Sequence, residues 1–406
     1  MRAVPSLLIT GAAGLSVLLA ACSGVAADTD QSRSVVAPMQ FTEQTKVAKV
    51  ADGDSFYVVG RDVPIRMIGI DAPDKSTGDC YYDEATAALE RLIDMKRKVT
   101  LSAENRKSFS VGNGMKRPLR YVNQGGRDLS MQMLQQGYAV FNTTMTERAR
   151  EVSYANAAQL TASKRLRIWS STLCGHAPPA ALRIFVNYNA DRLDTQNIGG
   201  KYVRIVNDGP PLYLRNWRLR LGNRKYYTIG SITLQTGQSL VLHNGSGASY
   251  IADGDQHMFW GFKIDLPDPR TSLNKVGAVY LQDPSRNYRF WSIWPCIINC
   301  TSDPVIGKLG IQAIYHPPEG PMSERILVTN TSAEPVDASF LVVEAGSSVF
   351  EIPRGNVLQP GQSLTIWVQP HGGDYTLNRD RPTLSDDSDS VLLRGNDGKV
   401  IATHDW

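Results

Sequence analysis

The sequence predicts a multidomain chain with an α+β first part, followed by two all-β domains of one kind. Three observations carry this. Residues 47–166 interleave short alternating strands with three helical stretches. From residue 182 onward the helical period vanishes, and short strands between Gly, Pro and Asn turns take over. Landmarks also repeat within that second part. YVRIVN (202–207) precedes ITLQTGQSLVL (232–242) and GAVYLQ (277–282); RILVTN (325–330) precedes NVLQPGQSLTIWV (356–368) and SVLLR (390–394). The shared LQxGQSL returns after 124 residues, and the asparagines Asn207 and Asn330 are 123 apart. Two copies of one all-strand domain, 182–303 and 308–406, account for the repeat. At 406 residues the chain can give each domain an ample core.

In chain order, Arg2 precedes an apolar run over 7–21 that is short for a spanning helix and reads as a secretory signal. The run ends Leu19-Ala20-Ala21-Cys22, which resembles a bacterial lipoprotein cleavage box. That resemblance implies an exported chain, membrane-anchored through a lipidated Cys22 or extracellular. The alternative is an ordinary signal peptide with a chance cysteine. Residues 23–40 are polar and read as a flexible tether. Strands follow around Val47–Ala51, at Phe56 and Val58, and over 63–70, where Asp71-Ala72-Pro73-Asp74 stops the ladder. Residues 83–98 form a helix with Ala85, Ala88, Leu89, Leu92 and Ile93 on one face, acids at its start and bases at its end. Strands at 99–103 and 119–123, a hairpin turn at Gln124-Gly125-Gly126-Arg127, and helices over 129–136 and 146–166 complete the first domain, 41–175. HAPPAA (176–181) is a linker.

The chemistry concentrates at 47–74, where Asp52, Asp54, Asp71, Asp74 and Arg66 fall in two turns that end adjacent strands. Hard carboxylate oxygens on rigid strands suit calcium, and an arginine beside them suits a phosphate. DGDS (52–55), RMIGIDAPD (66–74) and RPLRYV (117–122) together resemble the metal-and-phosphate signature of the staphylococcal nuclease family, over about residues 41–174. The resemblance implies a five-stranded OB-like barrel with three packed helices, a kind of barrel that commonly binds oligonucleotides. It also implies calcium-dependent hydrolysis of DNA or RNA. Asp54, Asp71 and the Ala72 carbonyl would hold the ion, Arg66 and Arg117 would clamp the scissile phosphate, and Asp74 would orient or deprotonate water. Asp52 is read as a turn former.

Two departures stand out. The family carries glutamate where this chain has Asp74, one methylene shorter, and displacements of about 1 Å can cost roughly a hundredfold in rate. Arg117 also lacks the tyrosine-glycine that usually precedes it, which leaves Arg120 as an alternative register. The landmark order of the second half resembles the lamin-tail domain, an immunoglobulin-like sandwich often appended to secreted nucleases.

Cys80, Cys174, Cys296 and Cys300 are even in number, which in an exported chain suggests disulfides. Cys80 with Cys174 would staple the end of the first domain to its active-site side, and Cys296 with Cys300 would close a tight loop; free thiols are the alternative. No histidine has zinc-ligand spacing to the cysteines. The net charge is +4, and residues 41–174 hold 20 Lys and Arg against 15 Asp and Glu, so the basic excess sits on the nuclease-like domain. The aromatic run 280–294 reads as sandwich core with cross-strand pairs, or else as a stacking surface for sugar or bases. No HExxH, GxSxG or P-loop pattern appears. A second functional reading is a catalytically weak or inactive surface protein that binds nucleic acid or a partner through the barrel and tail domains.

Overall fold

The computed structural model describes residues 38–112, 115–143, 147–190, 197–222, 225–264, 266–267, 275–294, 305–371, 375–395 and 399–406. Cys22, the leader and most of the tether lie outside the described residues, as do Cys296 and Cys300.

The first part is a closed barrel. β1 (Phe41–Asp52) is long enough to serve two neighbours. Its first half pairs with β5 (Lys98–Ala103) and its second with β2 (Ser55–Val58). β3 (Ile65–Met67) pairs with β2, and β7 (Met115–Gln124) pairs with β5. Closure comes from a parallel pairing of β3 with β7, with Arg66 opposite Leu119 and Met67 opposite Arg120. β4 (Ile70–Asp71) leaves the barrel and pairs with β9 (Val140–Phe141). β6 (Phe109–Gly112) and β8 (Arg127–Asp128) are hairpin partners of β7.

Three helices pack around the barrel. α1 (Tyr82–Leu92) ends before the predicted residue 98 because Gln124 takes over the chain: its amide bonds Asp94 at both backbone groups and the Arg97 carbonyl. α2 (Leu129–Gln135) starts at Asp128, whose carboxylate accepts from the Met131 N–H at 3.1 Å, and is followed by Gly137 at φ +70°. α3 (Glu151–Ser163) begins later than residue 146, because the Glu147 carboxylate is bound to the backbone N–H groups of Glu104 and Asn105 at the end of β5.

The rest is all strand. β10 (Leu182–Asn187), β11 (Tyr202–Asn207), β16 (Ser239–His243), β18 (Asp255–Phe259) and β17 (Tyr250–Ala252) form one sheet in that order. β14 (Tyr226–Thr228), β13 (Arg218–Leu221), β19 (Gly277–Gln282) and β20 (Tyr288–Trp294) form another, and β12 (Leu212–Tyr213) pairs with β15 (Thr233–Leu234). The final part repeats this plan. β21 (Leu309–Ile314), β22 (Arg325–Asn330), β27 (Ser363–Trp367) and β28 (Tyr375–Thr376) make one sheet. β25 (Ser348–Glu351), β24 (Val342–Ala345), β29 (Ser390–Arg394) and β30 (Val400–Asp405) make the other, and β23 (Val336–Asp337) pairs with β26 (Val357–Leu358).

The repeated asparagine has a physical reason. Buried Asn207 donates to the carbonyls of Pro210 and Leu234; buried Asn330 donates in the same way to those of Glu334 and Leu358. In each copy the LQxGQSL loop folds against that asparagine's backbone. Gly237 at φ +79° and Gly361 at φ +75° donate to the Asn207 and Asn330 carbonyls. A buried amide must find partners, so the turn and the asparagine come as a set.

Two cores belong to the β-rich parts alone, one around Val203, Ile205, Trp217 and Leu240, the other around Ile326, Val328, Val343 and Ile366. The barrel core does not stop at the barrel. Val276, Ala278, Tyr280, Tyr288 and Ile293 join it, and residues 36–406 form one compact unit.

Candidate active site

The site is assembled by two turns that touch. In the Asp52-Gly53-Asp54 turn, the Asp52 carboxylate accepts from the Asp54 N–H at 3.0 Å, so Asp52 shapes the turn. A Cβ on Gly53 would stand 2.7 Å from the Ala72 Cβ and 3.0 Å from that of Ala85, so only glycine lets this turn approach the 71–74 turn so closely. The approach lets the Ala72 N–H donate to Asp54 Oδ2 at 2.8 Å, while Ser55 Oγ donates to Oδ1 at 2.9 Å.

Arg66 sits between the two carboxylates. Its guanidinium ion-pairs with Asp54 Oδ1, reaches Asp71 Oδ1 at 2.6 Å and donates to the Ile70 carbonyl at 3.1 Å. All three side chains are buried, with Asp54 at 1% and Asp71 and Arg66 at 3% exposure. Burial opposes the arginine's charge, but Asp54, Asp71 and Asp52 outweigh it and raise its pKa.

Register separates the two arginines of β7. Arg66 lies opposite Leu119, and Arg117 is two residues from Leu119, so Arg117 shares the Arg66 side of the sheet. Arg120 points to the other side. Its guanidinium lies 4.3 Å over the Phe41 ring and donates to the Leu119, Ser108 and Arg106 carbonyls. Asp74 caps a short 3-10 turn, Lys75–Thr77, accepting at Oδ1 from Ser76 N and Ser76 Oγ, both at 2.8 Å. Its carboxylate is spent within that short turn, so the structure unites Asp54, Arg66 and Asp71 and leaves Asp74 beside them.

The sequence reading missed the group that completes the cluster. Arg220, on β13 of the first β-rich part, ion-pairs with Asp71 Oδ2, reaches Asp79 Oδ2 at 3.2 Å and donates to the Tyr288 hydroxyl at 2.7 Å. Burial alone would lower its pKa, yet Asp71, Tyr288 and Asp79 raise it well above the ordinary value. Arg218 adds a pair with Asp79 at 3.5 Å and a bond to the Thr77 carbonyl at 3.2 Å. The signal was present in RLRL (218–221): Leu219 and Leu221 enter the core of the first β-rich part, so the alternating arginines must face elsewhere, and all four residues are buried. A buried arginine demands a carboxylate partner.

The aromatic run has a similar destination. Tyr280, Tyr288 and Trp291 surround buried Trp169 of the first part at ring distances of 5.7, 5.7 and 5.1 Å. The run keeps its cross-strand pairing, with Tyr280 opposite Trp291, and it seats the barrel on the first β-rich part instead of forming an open stacking surface. Tyr280 also donates to the Phe141 carbonyl at 2.8 Å. A disulfide joins Cys80, next to Asp79, to Cys174, whose N–H donates to Asn287 of the β19–β20 hairpin at 2.6 Å.

As these carboxylates stand, they do not fit a calcium ion, which takes six to eight oxygen ligands. Both oxygens of Asp54 and both of Asp71 accept from N–H or O–H donors. Among the described residues no three His, Cys, Asp or Glu side chains stand close enough to share a metal.

Comparison with known proteins adds one match. The model of the family described as Staphylococcal nuclease homologue matches residues 64–171, which includes Arg66, Asp71, Asp74 and Arg117 but not Asp54. No curated protein matches the chain. With the closed barrel and its three helices, the match makes residues 64–171 the main part of a staphylococcal nuclease-like domain.

Proposed function

We propose that the chain is an exported nuclease, lipid-anchored through Cys22, whose barrel domain acts on the phosphodiester backbone of DNA or RNA. The observation that carries this reading is Arg66 locked between Asp54 and Asp71, with Arg117 on the same side of β3 and β7. A guanidinium oriented beforehand by carboxylates costs little to organise when charge develops on a phosphate oxygen. The basic excess of residues 41–174 would draw a polyanion to the barrel. The two β-rich parts are assigned as lamin-tail-like, immunoglobulin-like domains on their landmark order.

The test is cleavage of single-stranded and duplex DNA and of RNA by the full mature chain, with calcium and with chelator. Loss of activity in Arg66→Ala and Arg117→Ala, and its retention in Arg120→Ala, is the expected result. Each lost arginine should cost about 10²- to 10³-fold, as removal of one preorganised donor does. Undetectable cleavage of every substrate, with calcium or with chelator, would leave the reading without support.

A second reading is favoured by Asp74, whose Oδ1 is engaged in capping Lys75–Thr77. With the Asp74 carboxylate turned to that task, the barrel would hold nucleic acid without turnover. Salt-dependent DNA retention with no product would establish it.

A further inference from the structure

We propose that a strip of exposed arginines set on aromatic rings, from Tyr81 across the 164–167 turn to Trp291, holds the phosphate backbone of a single-stranded nucleic acid. The strip lies outside the buried Asp54–Arg66–Asp71 cluster. The inference takes from the nuclease reading only its nucleic-acid partner, and needs neither a metal ion nor turnover.

Charge marks the strip first. No Asp or Glu occurs from residue 152 to residue 190, while KRLR (164–167) puts three cations into four residues. Arg91 of α1, Lys164, Arg165 and Arg167 are all exposed. Among the described residues, Arg91, Arg165 and Arg167 bond neutral oxygens and no carboxylate. These are the Tyr138 hydroxyl at 3.4 Å, the Arg289 carbonyl at 3.3 Å and the Gln136 carbonyl at 2.5 Å. Their charge is left for a partner from outside.

The rings hold two of the guanidiniums in place. Arg167 lies 4.5 Å over the Tyr138 ring, which stacks on Tyr81 at 5.9 Å, and Arg165 lies 4.6 Å over Trp291 of β20. A guanidinium already seated on a ring loses little further freedom when its planar fork meets a phosphate. Burial and the like charge of Arg289 both act against the Arg165 charge, an imbalance that a phosphate would offset. Arg289 itself is tied to Asp283 at 3.3 Å. The backbone is strained at the same place: Tyr81, Arg165 and Arg167 have φ of +67°, +52° and +49°, a region that residues other than glycine seldom adopt. Such strain concentrates where side chains are presented to a ligand. The match to the nuclease-homologue family spans Tyr81, Arg91, Tyr138, Arg165 and Arg167, and the basic excess lies on residues 41–174, which favours a nucleic acid as the polyanion.

The experiment is titration of a fluorescent single-stranded DNA oligonucleotide with the full mature chain, in chelator and over a range of salt. Each phosphate contact on a single strand adds about 0.7 to the fall of log K with log salt. Arg165→Gly with Arg167→Gly should lower that slope by about 1.4 and weaken binding at low salt at least about tenfold. Glycine adopts positive φ without strain, so thermal melting should show this variant folded. Lys308→Ala with Arg381→Ala removes the same charge from the second β-rich part and should leave the slope unchanged. Should the glycine pair fail to fold, Arg91→Gln decides alone, through a slope lower by about 0.7.

Equal affinity and slope in the native chain and the glycine pair overturn the proposal. An equal loss in the remote pair does so too, because the attraction would then be one of net charge. If the oligonucleotide is not held, and the same arginines instead retain the chain on phosphatidylglycerol vesicles, the strip is a membrane face and the proposal falls. Weaker binding in the glycine pair, with no product from the native chain in the cleavage assay, keeps the strip and removes the nuclease reading. Cleavage by the native chain, with oligonucleotide binding unchanged in the glycine pair, removes the strip and keeps the nuclease.

Discussion

Gly53 shows how a single missing methyl group sets the distance between two carboxylates. Its neighbours Ala72 and Ala85 are buried and small, and the space a Cβ would take is already theirs. Gly53→Ala should therefore destabilise the barrel by about 1–3 kcal/mol, the usual cost of overpacking. It should also impair the site, because the Ala72 N–H to Asp54 bond depends on that approach. Urea unfolding and cleavage measured together would check it, and unchanged values for both would show that the turns can part without loss. At this scale much of the site was legible. Aspartates in turns and an arginine between strands announce themselves by residue type, and the structure does bring Asp54, Arg66 and Asp71 together. Asp74 was not legible in the same way, since a carboxylate two residues before Ser76 can equally cap a turn, and here it does. Arg117 and Arg120 could not be separated by spacing alone; the β3–β7 register separates them.

Elements were legible where a local rule fixes them. The Gly125-Gly126 hairpin has φ of +58° and +79°, the left-handed pair that a two-residue turn requires. Helix ends were less so, because Gln124 and Glu147 stop α1 and delay α3 from a distance. Two histidines form an organised pair on the adjacent strands β16 and β18. His243 Nδ1 meets the Gly199 carbonyl at 2.6 Å, and its Nε2 meets His257 Nδ1 at 2.9 Å. Tyr250 and Phe259 close the stack, on His257 at 4.4 Å and on His243 at 5.1 Å. Burial, then His243 and Arg204, push His257 down to about 4, against opposing effects of Asp255 and Asp253. Its folded pKa thus lies below its ordinary value of 6.5, so the unfolded chain binds more protons between those two values. The stack's stability is present in full above that window and is lost as pH falls through it. Thermal melts across the window should show a steeper decline for the native chain than for His257→Gln. Parallel declines would mean that this pair carries no proton-linked stability.

The whole-molecule arrangement was the least legible, because its contacts join residues far apart in sequence. Period-2 alternation says that one face of β13 or β19 is buried, but not what buries it. Arg220 meets Asp71 across 149 residues, and Tyr280 meets Phe141 across 139. The consequence is energetic coupling. A core that runs from the barrel into the first β-rich part is shared by both, while the first β-rich part keeps a second core of its own. Trp169 is the shared centre, fully buried and ringed by aromatics from the other part. Trp169→Ala should cost about 3–5 kcal/mol, the range for truncating a buried tryptophan. It should also change how the molecule melts. In the native chain calorimetry should show the barrel and the first β-rich part unfolding together. In the variant the barrel transition should move down and separate, while the part built on Trp217, Leu240 and Val203 melts near its former temperature. If both parts still unfold in one transition shifted by the same amount, the coupling runs through the Arg220–Asp71 and Arg218–Asp79 pairs and not through the aromatic seat. In that case Arg220→Ala, and not Trp169→Ala, should be the variant that splits the melt.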